Sequence, residues 1–231
     1  MNTPTTTESF LARLKTPPPP QEMERLTTLL SIEATVWAQG FARIAGVDEA
    51  GRGPLAGPLV AAAVVLTAPV PGLNDSKRLT ASQRETLCSQ IMADGHDVGI
   101  AIKSAETIDR YGIQQANMSA MLEAVAALRT PPDYVLVDGY ALTGLEQPAL
   151  RVVKGDARSL SIAAASIVAK ETRDRMLFQL DMQYPAYGFA RHKGYGTREH
   201  LDALGTHGPC PEHRRSFAPL AQAEETQQPL L

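Results

Sequence analysis

Apolar positions along the chain follow two spacings: short continuous runs and stripes at helical intervals. Residues 59–66 are continuously apolar, which is typical of a strand buried on both faces. Apolar residues from 113 to 128 instead recur near one helical stripe. Short connections favour antiparallel pairing of the first strands, and the later strands, which follow a helix, are expected to be parallel. The pattern predicts an α/β fold, with helices at 21–40, 113–128, 159–184 and from Thr197 onward packed against a mixed sheet of five strands at 43–47, 59–66, 96–103, 134–137 and 149–153.

The two ends of the chain differ from its middle. Residues 1–20 are rich in threonine and proline and finish on four consecutive prolines, which is typical of a disordered or polyproline II segment. Residues 21–40 predict a helix docked on the main domain, and residues 218–231 predict a flexible tail. One main domain is therefore expected over residues 41–217.

Composition narrows the class of protein. The two cysteines, Cys88 and Cys210, lie far apart, which argues against a disulfide framework and favours a reducing compartment. The longest apolar run, residues 55–66, is shorter than the ~20 residues that span a bilayer, and the N-terminus does not resemble a secretory signal. We therefore expect a cytoplasmic monomer with no membrane partner.

Charge is distributed unevenly along the chain. The net charge of -3 argues mildly against a nucleic-acid binder, but residues 151–215 contain 11 Lys/Arg against 7 Asp/Glu. A locally basic segment suits contacts with phosphates. Solvated helix faces explain the same surplus equally well, so charge alone leaves both interpretations open.

Acidic residues stand at or just past the ends of three apolar strands. Asp48 and Glu49 follow the first strand, Asp138 follows Val135–Val137, and Asp156 follows the last strand. Ligands of open α/β sheets bind at the carboxyl ends of strands. Carboxylates gathered there would repel one another, and a divalent cation would remove that conflict. Oxygen ligands without a nearby His or Cys favour Mg²⁺ or Mn²⁺ in a two-metal phosphodiesterase.

Each acid also has an ordinary explanation. Asp156 could cap the next helix, Asp138 with Gly139 could form a turn, and the first two acids could be a solvated strand end. Three strands ending in acids by accident is a much weaker explanation. Because adjacent strand residues point to opposite faces, Asp48 and Glu49 reach one site only if the chain bends, which the following glycines permit.

Seven short segments, in order across residues 41–217, resemble the ribonuclease HII family. The longest is Gly46–Pro58, with the sequence GVDEAGRGPLAGP. The long proline-rich start is the one notable departure from the family. The other six segments are residues 74–77 (NDSK), 137–139 (VDG), 154–156 (KGD), 161–170 (SIAAASIVAK), 192–197 (HKGYGT) and 213–217 (HRRSF).

This resemblance implies a ribonuclease H-like fold and three groups of site residues. The metal ligands and catalytic residues would be Asp48, Glu49, Asp138 and Asp156. The backbone of Gly51, Arg52 and Gly53, together with Tyr195, would recognise the junction between ribose and deoxyribose. Backbone phosphates would be contacted by Asn74, Ser76 and Lys77. The chemistry agrees, because glycine allows close approach to a sugar whose 2′-OH can bond to the main chain.

The resemblance also implies the reaction. We expect an endonuclease that hydrolyses the RNA strand of RNA–DNA hybrids and cleaves 5′ of ribonucleotides embedded in duplex DNA, leaving 5′-phosphate and 3′-hydroxyl ends. A resolvase or transposase domain is disfavoured by the glycine motif with Tyr195. A non-catalytic RNA-binding module is disfavoured by the complete set of acids.

Two further patterns are weaker. A zinc site at His207, Cys210 and His213 is disfavoured because no fourth soft ligand lies nearby. Residues 227–231 (QQPLL) loosely resemble peptides that dock on the sliding clamp, and a plain flexible tail explains them more simply.

Overall fold

The computed structural model describes residues 5–221, and its centre is a mixed five-stranded sheet. The strands are β1 (Ile44–Ala50), β2 (Leu59–Val65), β3 (Asp97–Lys103), β4 (Tyr134–Asp138) and β5 (Ala149–Val152). Their order is β3-β2-β1-β4-β5. The pairs β1–β4 and β4–β5 are parallel, as expected for strands that follow a helix.

Several of the helices begin at side-chain caps. Thr80 and Gln83 form a capping box, and the hydroxyls of Ser104 and Thr197 accept from backbone N–H groups of their own first turns. Short 3₁₀ turns cover Ser76–Arg78 and Gly155–Ala157. Within residues 5–221 the helices are α1 (Thr7–Leu11), α2 (Pro20–Leu29), α3 (Ser31–Ala38), α4 (Ala81–Ala93), α5 (Ala105–Tyr111), α6 (Ile113–Ala126), α7 (Leu160–Gln183), α8 (Phe189–His192) and α9 (Arg198–His207).

Close packing of α7 on β1 depends on Gly46. A Cβ at this position would overlap the backbone of Ser161 and Ile162 at the start of α7. Every residue of β2 is buried, which explains its continuous apolar run. These contacts fix the end of β1, where two of the predicted site residues lie.

The N-terminal segment is more ordered than its composition predicts. A disordered stretch was expected over residues 1–20, but α1 forms at Thr7–Leu11, so that prediction is wrong for this part. Thr6 and Ser9 form a capping box, and the buried Phe10 ring lies 5.1 Å from the Trp37 ring. Burial of one aromatic side chain therefore orders a segment that looks unstructured by composition.

The single helix predicted over residues 21–40 is two helices, α2 and α3, separated at Leu30. The backbone of Leu30 has ψ near 0, which changes the direction of the chain. Each helix then buries its own side chains, among them Leu26 in α2 and Val36 in α3.

The chain packs as two compact units, both of which contribute to the predicted domain over residues 41–217. Within the described residues, unit 1 contains residues 5–49, 61–101 and 121–171, and unit 2 contains residues 50–60, 102–120 and 172–221. Among residues 5–221, no helix is long and apolar enough to cross a membrane. Cys88 and Cys210 are both buried, and neither forms a disulfide within the described residues.

Candidate active site

The four predicted carboxylates lie at strand ends in unit 1. Asp48 and Glu49 lie near the end of β1, just before its final residue, Ala50. Asp138 is the final residue of β4, and Asp156 lies in the 3₁₀ turn after β5. Because β1 and β4 are parallel neighbours with Val47 opposite Val137, the acids that follow these two residues come side by side. The sheet register thus brings together acids that are far apart in sequence.

Burial and mutual repulsion make the charged forms of Asp48 and Asp138 unfavourable. Burial is the main reason that the pKa of Asp48 is raised well above its usual value, and the charges of Glu49 and Asp138 raise it further. Burial also raises the pKa of Asp138, with a contribution from Asp156. The N–H of Gly155 donates to Asp138 Oδ1 at 2.6 Å, which partly offsets this effect.

Lys77 is the cation closest to this group in the described hydrogen-bond network. Its Nζ lies 3.5 Å from Asp156 Oδ2, and most of its side chain is exposed. Burial alone would lower the pKa of Lys77, but the negative charges of Asp156, Asp75 and Asp48 outweigh burial and raise it. The raised pKa of Lys77 therefore reflects the excess negative charge of the neighbouring carboxylates.

The other predicted phosphate contacts differ in accessibility. Asn74 is half-buried, and its side-chain oxygen accepts from the Asp75 N–H at 2.9 Å. Ser76 is buried, and its Oγ lies 3.0 Å from Ser166 Oγ. Since the Ser166 hydroxyl also hydrogen-bonds Asp48, Ser76 supports an acid from within the protein, whereas Lys77 faces solvent.

The donor set of this group fits a hard divalent cation. All four side chains supply carboxylate oxygens, the ligands that Mg²⁺ and Mn²⁺ prefer. A bound cation would reverse the repulsion that raises the pKa values of Asp48 and Asp138. Within residues 5–221, no group of three or more His, Cys, Asp or Glu side chains is arranged closely enough to hold a metal ion, so the acids form an open cluster, as expected for like charges.

The predicted recognition residues lie in unit 2. We use the name GRG loop for residues 51–58, which begin with Gly51, Arg52 and Gly53. Gly51 has a φ of +100°, and a Cβ here would overlap the side chain of Arg173. A Cβ at Gly53 would lie 3.7 Å from the Tyr195 ring, an ordinary contact distance. Position 51 therefore requires glycine for backbone conformation and space, whereas position 53 has room beside the tyrosine.

Two fully buried arginines hold the GRG loop by its backbone carbonyls. Arg214 donates from Nη2 to Gly51 O at 2.6 Å, from Nη1 to Arg52 O at 3.1 Å, and from Nε and Nη2 to Gly57 O. Arg173 donates to the carbonyls of Pro58, Ala56 and Lys193 at 2.9–3.1 Å. Their rigid forked donors thus fix the shape of the loop.

Burial shifts the ionisation of both guanidinium groups. The pKa of Arg214 falls to about 9, chiefly because of burial and further because of the charge of Arg173. Burial likewise lowers the pKa of Arg173. A pKa of about 9 leaves Arg214 protonated at neutral pH. Neither arginine was predicted as a functional residue, because a charged side chain carries no sign in the sequence that it will be buried.

Tyr195 projects beside the GRG loop with half of its surface exposed. The preceding residue, Gly194, has a φ of +80°, and a Cβ there would overlap the carbonyl of Ala56. The N–H of Leu55 donates to Gly194 O at 2.8 Å, which joins the two segments. Arg52 Nη2 donates to Gln114 Oε1 at 3.1 Å. Unit 2 therefore gathers the predicted recognition residues on one accessible surface.

The disfavoured zinc site is also explained by the structure. His213 Nδ1 lies 3.1 Å from Cys210 Sγ, but the same nitrogen accepts the Cys210 backbone N–H at 3.0 Å. The lone pair of Nδ1 is therefore occupied by this backbone hydrogen bond.

Comparison with known proteins gives a consistent family similarity. A family model described as ribonuclease HII matches residues 45–220. The chain is 57% identical over 204 residues to a ribonuclease HII of Acidovorax sp. (strain JS42), covering 87% of this chain and 97% of that protein. The matched range contains the four carboxylates, the GRG loop and Tyr195.

Solved structures show the same fold. The ribonuclease H2 of Pyrococcus horikoshii OT3 superposes with a TM-score of 0.67 at 28% identity, covering 80% of this chain and 98% of that chain. The RNase HII of Archaeoglobus fulgidus, solved in a complex with PCNA, superposes with a TM-score of 0.64 at 24% identity, covering 76% and 95%.

Proposed function

Since this chain belongs to the ribonuclease HII family of endonucleases, we propose that it hydrolyses the RNA strand of RNA–DNA hybrids and cleaves 5′ of ribonucleotides embedded in duplex DNA. The products carry 5′-phosphate and 3′-hydroxyl ends. The observation that carries this proposal is the cluster of acids at the ends of β1, β4 and β5, in which Asp48 and Asp138 are brought side by side by the register of the sheet.

Asp48, Glu49, Asp138 and Asp156 would hold Mg²⁺ or Mn²⁺ in a two-metal arrangement. When bound, the cations supply Lewis-acid stabilisation of the negative charge that develops on the scissile phosphate. The protein's own groups orient the ligands: the Gly155 N–H fixes Asp138, and the Ser166 hydroxyl fixes Asp48. Such outer contacts hold a carboxylate in the geometry that its role requires.

Substrate recognition divides between phosphates and sugar. Lys77, exposed and raised in pKa, supplies positive charge for a backbone phosphate, and Asn74 supplies a polar contact. The main chain of the GRG loop bonds the 2′-OH, and the half-exposed ring of Tyr195 packs on the neighbouring deoxyribose. The rigid support of the loop by Arg214 favours this role, because a preformed loop pays little ordering cost on binding.

A cleavage assay on three duplexes tests this proposal. The substrates are a DNA duplex with one ribonucleotide, a long RNA–DNA hybrid and an all-DNA duplex, each with Mg²⁺, with Mn²⁺ and with chelator. We expect cleavage of the first two in either metal and none with chelator. Cleavage of the all-DNA duplex would indicate a resolvase-like nuclease, and binding without cleavage would indicate a non-catalytic binding module.

Single substitutions test whether the proposed metal ligands are required for cleavage. Asp138→Asn is expected to lower the cleavage rate by on the order of 10³-fold, the effect of losing several kcal/mol of transition-state stabilisation. Glu146→Gln, which removes an exposed acid of unit 1, is the matched control and should leave the rate unchanged. Near-normal cleavage by Asp138→Asn at saturating Mg²⁺ would contradict the assignment.

Docking of the C-terminus on the sliding clamp is a separate proposal. Residues 227–231 lie outside the described residues 5–221, and its support is the loose sequence pattern and the PCNA complex of the similar A. fulgidus protein. Tethering would raise the local concentration of the enzyme near replicating DNA. Deleting residues 221–231 should abolish binding to purified clamp and leave cleavage of short duplexes unchanged. Equal clamp binding by both proteins, or none by either, would contradict it.

A further inference from the structure

Three buried histidines of unit 2 form one cluster, which includes His213 of the disfavoured zinc site. His192, His200 and His213 are each at most 9% exposed. The rings of His192 and His200 stack with their centres 4.4 Å apart, and His200 Nε2 lies 3.0 Å from His213 Nε2. Three imidazoles in contact inside a protein are costly to charge, so an ordered set of neutral rings is expected.

The hydrogen bonds determine which nitrogen of each ring carries a proton. The Cys210 N–H can only donate, and it points to His213 Nδ1 at 3.0 Å, whereas the Cys210 carbonyl is more distant at 3.3 Å. His213 Nδ1 is therefore bare and Nε2 carries the proton. That proton is donated to His200 Nε2, which leaves His200 Nδ1 to donate to the Tyr195 carbonyl at 2.9 Å.

The stacked partner, His192, holds the chain just before Tyr195. His192 Nε2 faces the Tyr187 carbonyl at 2.7 Å and so carries the proton, and His192 Nδ1 accepts the Gly194 N–H at 3.2 Å. His192 thus holds the Lys193–Gly194 peptide, and His200 holds the Tyr195–Gly196 peptide. Since glycines flank Tyr195, its backbone would otherwise be free to move.

Ionisation behaviour is consistent with a neutral network. Burial, together with the neighbouring His200, lowers the pKa of His213 to about 4. Burial also lowers the pKa of His200. Both rings are therefore neutral at pH 7, as the donor and acceptor pattern requires.

We propose that His200 is a positioning residue for ribose–deoxyribose recognition: through its Nδ1–H bond to the Tyr195 carbonyl it fixes the orientation of the Tyr195 ring, and His213 sets the tautomer that makes this bond possible. The inference rests on the proposed role of Tyr195. His200 touches no substrate and acts through the backbone of the residue that does.

Two substitutions separate the two ring nitrogens of His200. In His200→Asn the amide nitrogen occupies the place of Nδ1 and keeps the donor to Tyr195 O. In His200→Gln the amide occupies the place of Nε2, which keeps the contact with His213 and loses that donor. The measurement is the ratio of kcat/KM on the single-ribonucleotide duplex to kcat/KM on the long hybrid.

We expect His200→Gln to lower this ratio about tenfold, the scale of one lost hydrogen bond, and His200→Asn to keep it within about twofold of wild type. Thermal unfolding should show similar destabilisation for both. The inference is wrong, and the role of His200 is structural, if the ratio falls equally in both variants. The same holds if the fall in the ratio correlates with the loss of stability and not with the loss of the donor to Tyr195 O.

A double substitution tests whether His200 acts through Tyr195. In the Tyr195→Ala background, His200→Gln should change the ratio no further, and independent losses that multiply would overturn the inference. If Tyr195→Ala alone leaves the ratio unchanged, the proposed role of Tyr195 is wrong and the inference falls with it. If Tyr195→Ala lowers the ratio and His200→Gln does not, only the positioning role is refuted.

Discussion

Acidification should destabilise this protein through His213, and the structure sets the size of the effect. The ring is 2% exposed, and burial, together with the charges of His200, Arg215 and His192, lowers its pKa from 6.5 to about 4. The unfolded chain takes up a proton below about pH 6.5, whereas the folded protein does not until about pH 4. Stability is therefore complete above pH 6.5 and is lost as the pH falls between these two values.

The magnitude follows from the difference in pKa. At 1.36 kcal/mol per pKa unit, the full shift corresponds to about 3 kcal/mol, of which about 2 kcal/mol is lost between pH 7 and pH 5. The burial of the ring means that solvent screens little of this. Protonation would also remove the acceptor for the Cys210 N–H, which acts in the same direction.

Urea unfolding followed by circular dichroism at pH 7, 6 and 5 measures this effect. Other groups contribute with the opposite sign, because burial raises the pKa of Glu33 and so favours the folded state at lower pH. The useful quantity is therefore the difference in unfolding free energy between wild type and His213→Gln. The unfolding free energy of wild type minus that of His213→Gln should fall by about 2 kcal/mol from pH 7 to pH 5.

His207→Gln is the matched control, since His207 is an exposed histidine of the same unit, and this variant should keep the pH dependence of wild type. A difference between wild type and His213→Gln that stays constant from pH 7 to pH 5 would refute the reasoning.

Four further predictions follow from the described contacts. Asp48→Asn should lose cleavage by on the order of 10³-fold and keep duplex binding, measured by turnover and by fluorescence anisotropy; a parallel loss of binding would contradict a role confined to chemistry. Tyr195→Ala should lower the preference for single ribonucleotides with little change in melting temperature, and equal loss on both substrates would argue against junction recognition. Arg214→Lys should lower the unfolding free energy by about 2–4 kcal/mol, because one ammonium cannot serve the three carbonyls that the guanidinium holds; wild-type stability in denaturant would refute this. Because burial raises the folded pKa of Glu33, the stability of wild type relative to Glu33→Gln should rise as the pH is lowered towards 4.5, the ordinary pKa of a glutamate, and no change with pH would show that Glu33 is not costly when charged.

The sheet and the acids were predictable from the sequence because their signals are local. A continuously apolar stretch indicates a buried strand, and the predicted strand at residues 59–66 matches β2 to within one residue. Acids directly after three such strands predict a cluster without any knowledge of the fold. The boundaries of α7, predicted at 159–184 and found at Leu160–Gln183, were similarly clear because Pro185 follows.

Among the helices that were not predicted, α4 and α5 have weak apolar patterns. Helix α4 buries only Leu87, Cys88 and Ile91 among 13 residues, and α5 is seven residues long. The burial of charged residues could not be predicted from the sequence either. Glu33 is buried because three donors, from Ser159 and Ser161, converge on its Oε1, and these donors lie more than 120 positions away.

The order in which the chain is synthesised has a consequence for the GRG loop. Its glycines emerge early, but the bond from Arg214 to Gly51 joins residues 163 positions apart. All four carboxylates precede residue 157 in the chain. On a ribosome, the proposed metal ligands are therefore made well before the loop can take its final shape, and a chain that stops short of Arg214 would carry the acids without a set loop. Of the two parts of the proposed site, the recognition loop is the later to be completed as the chain is made.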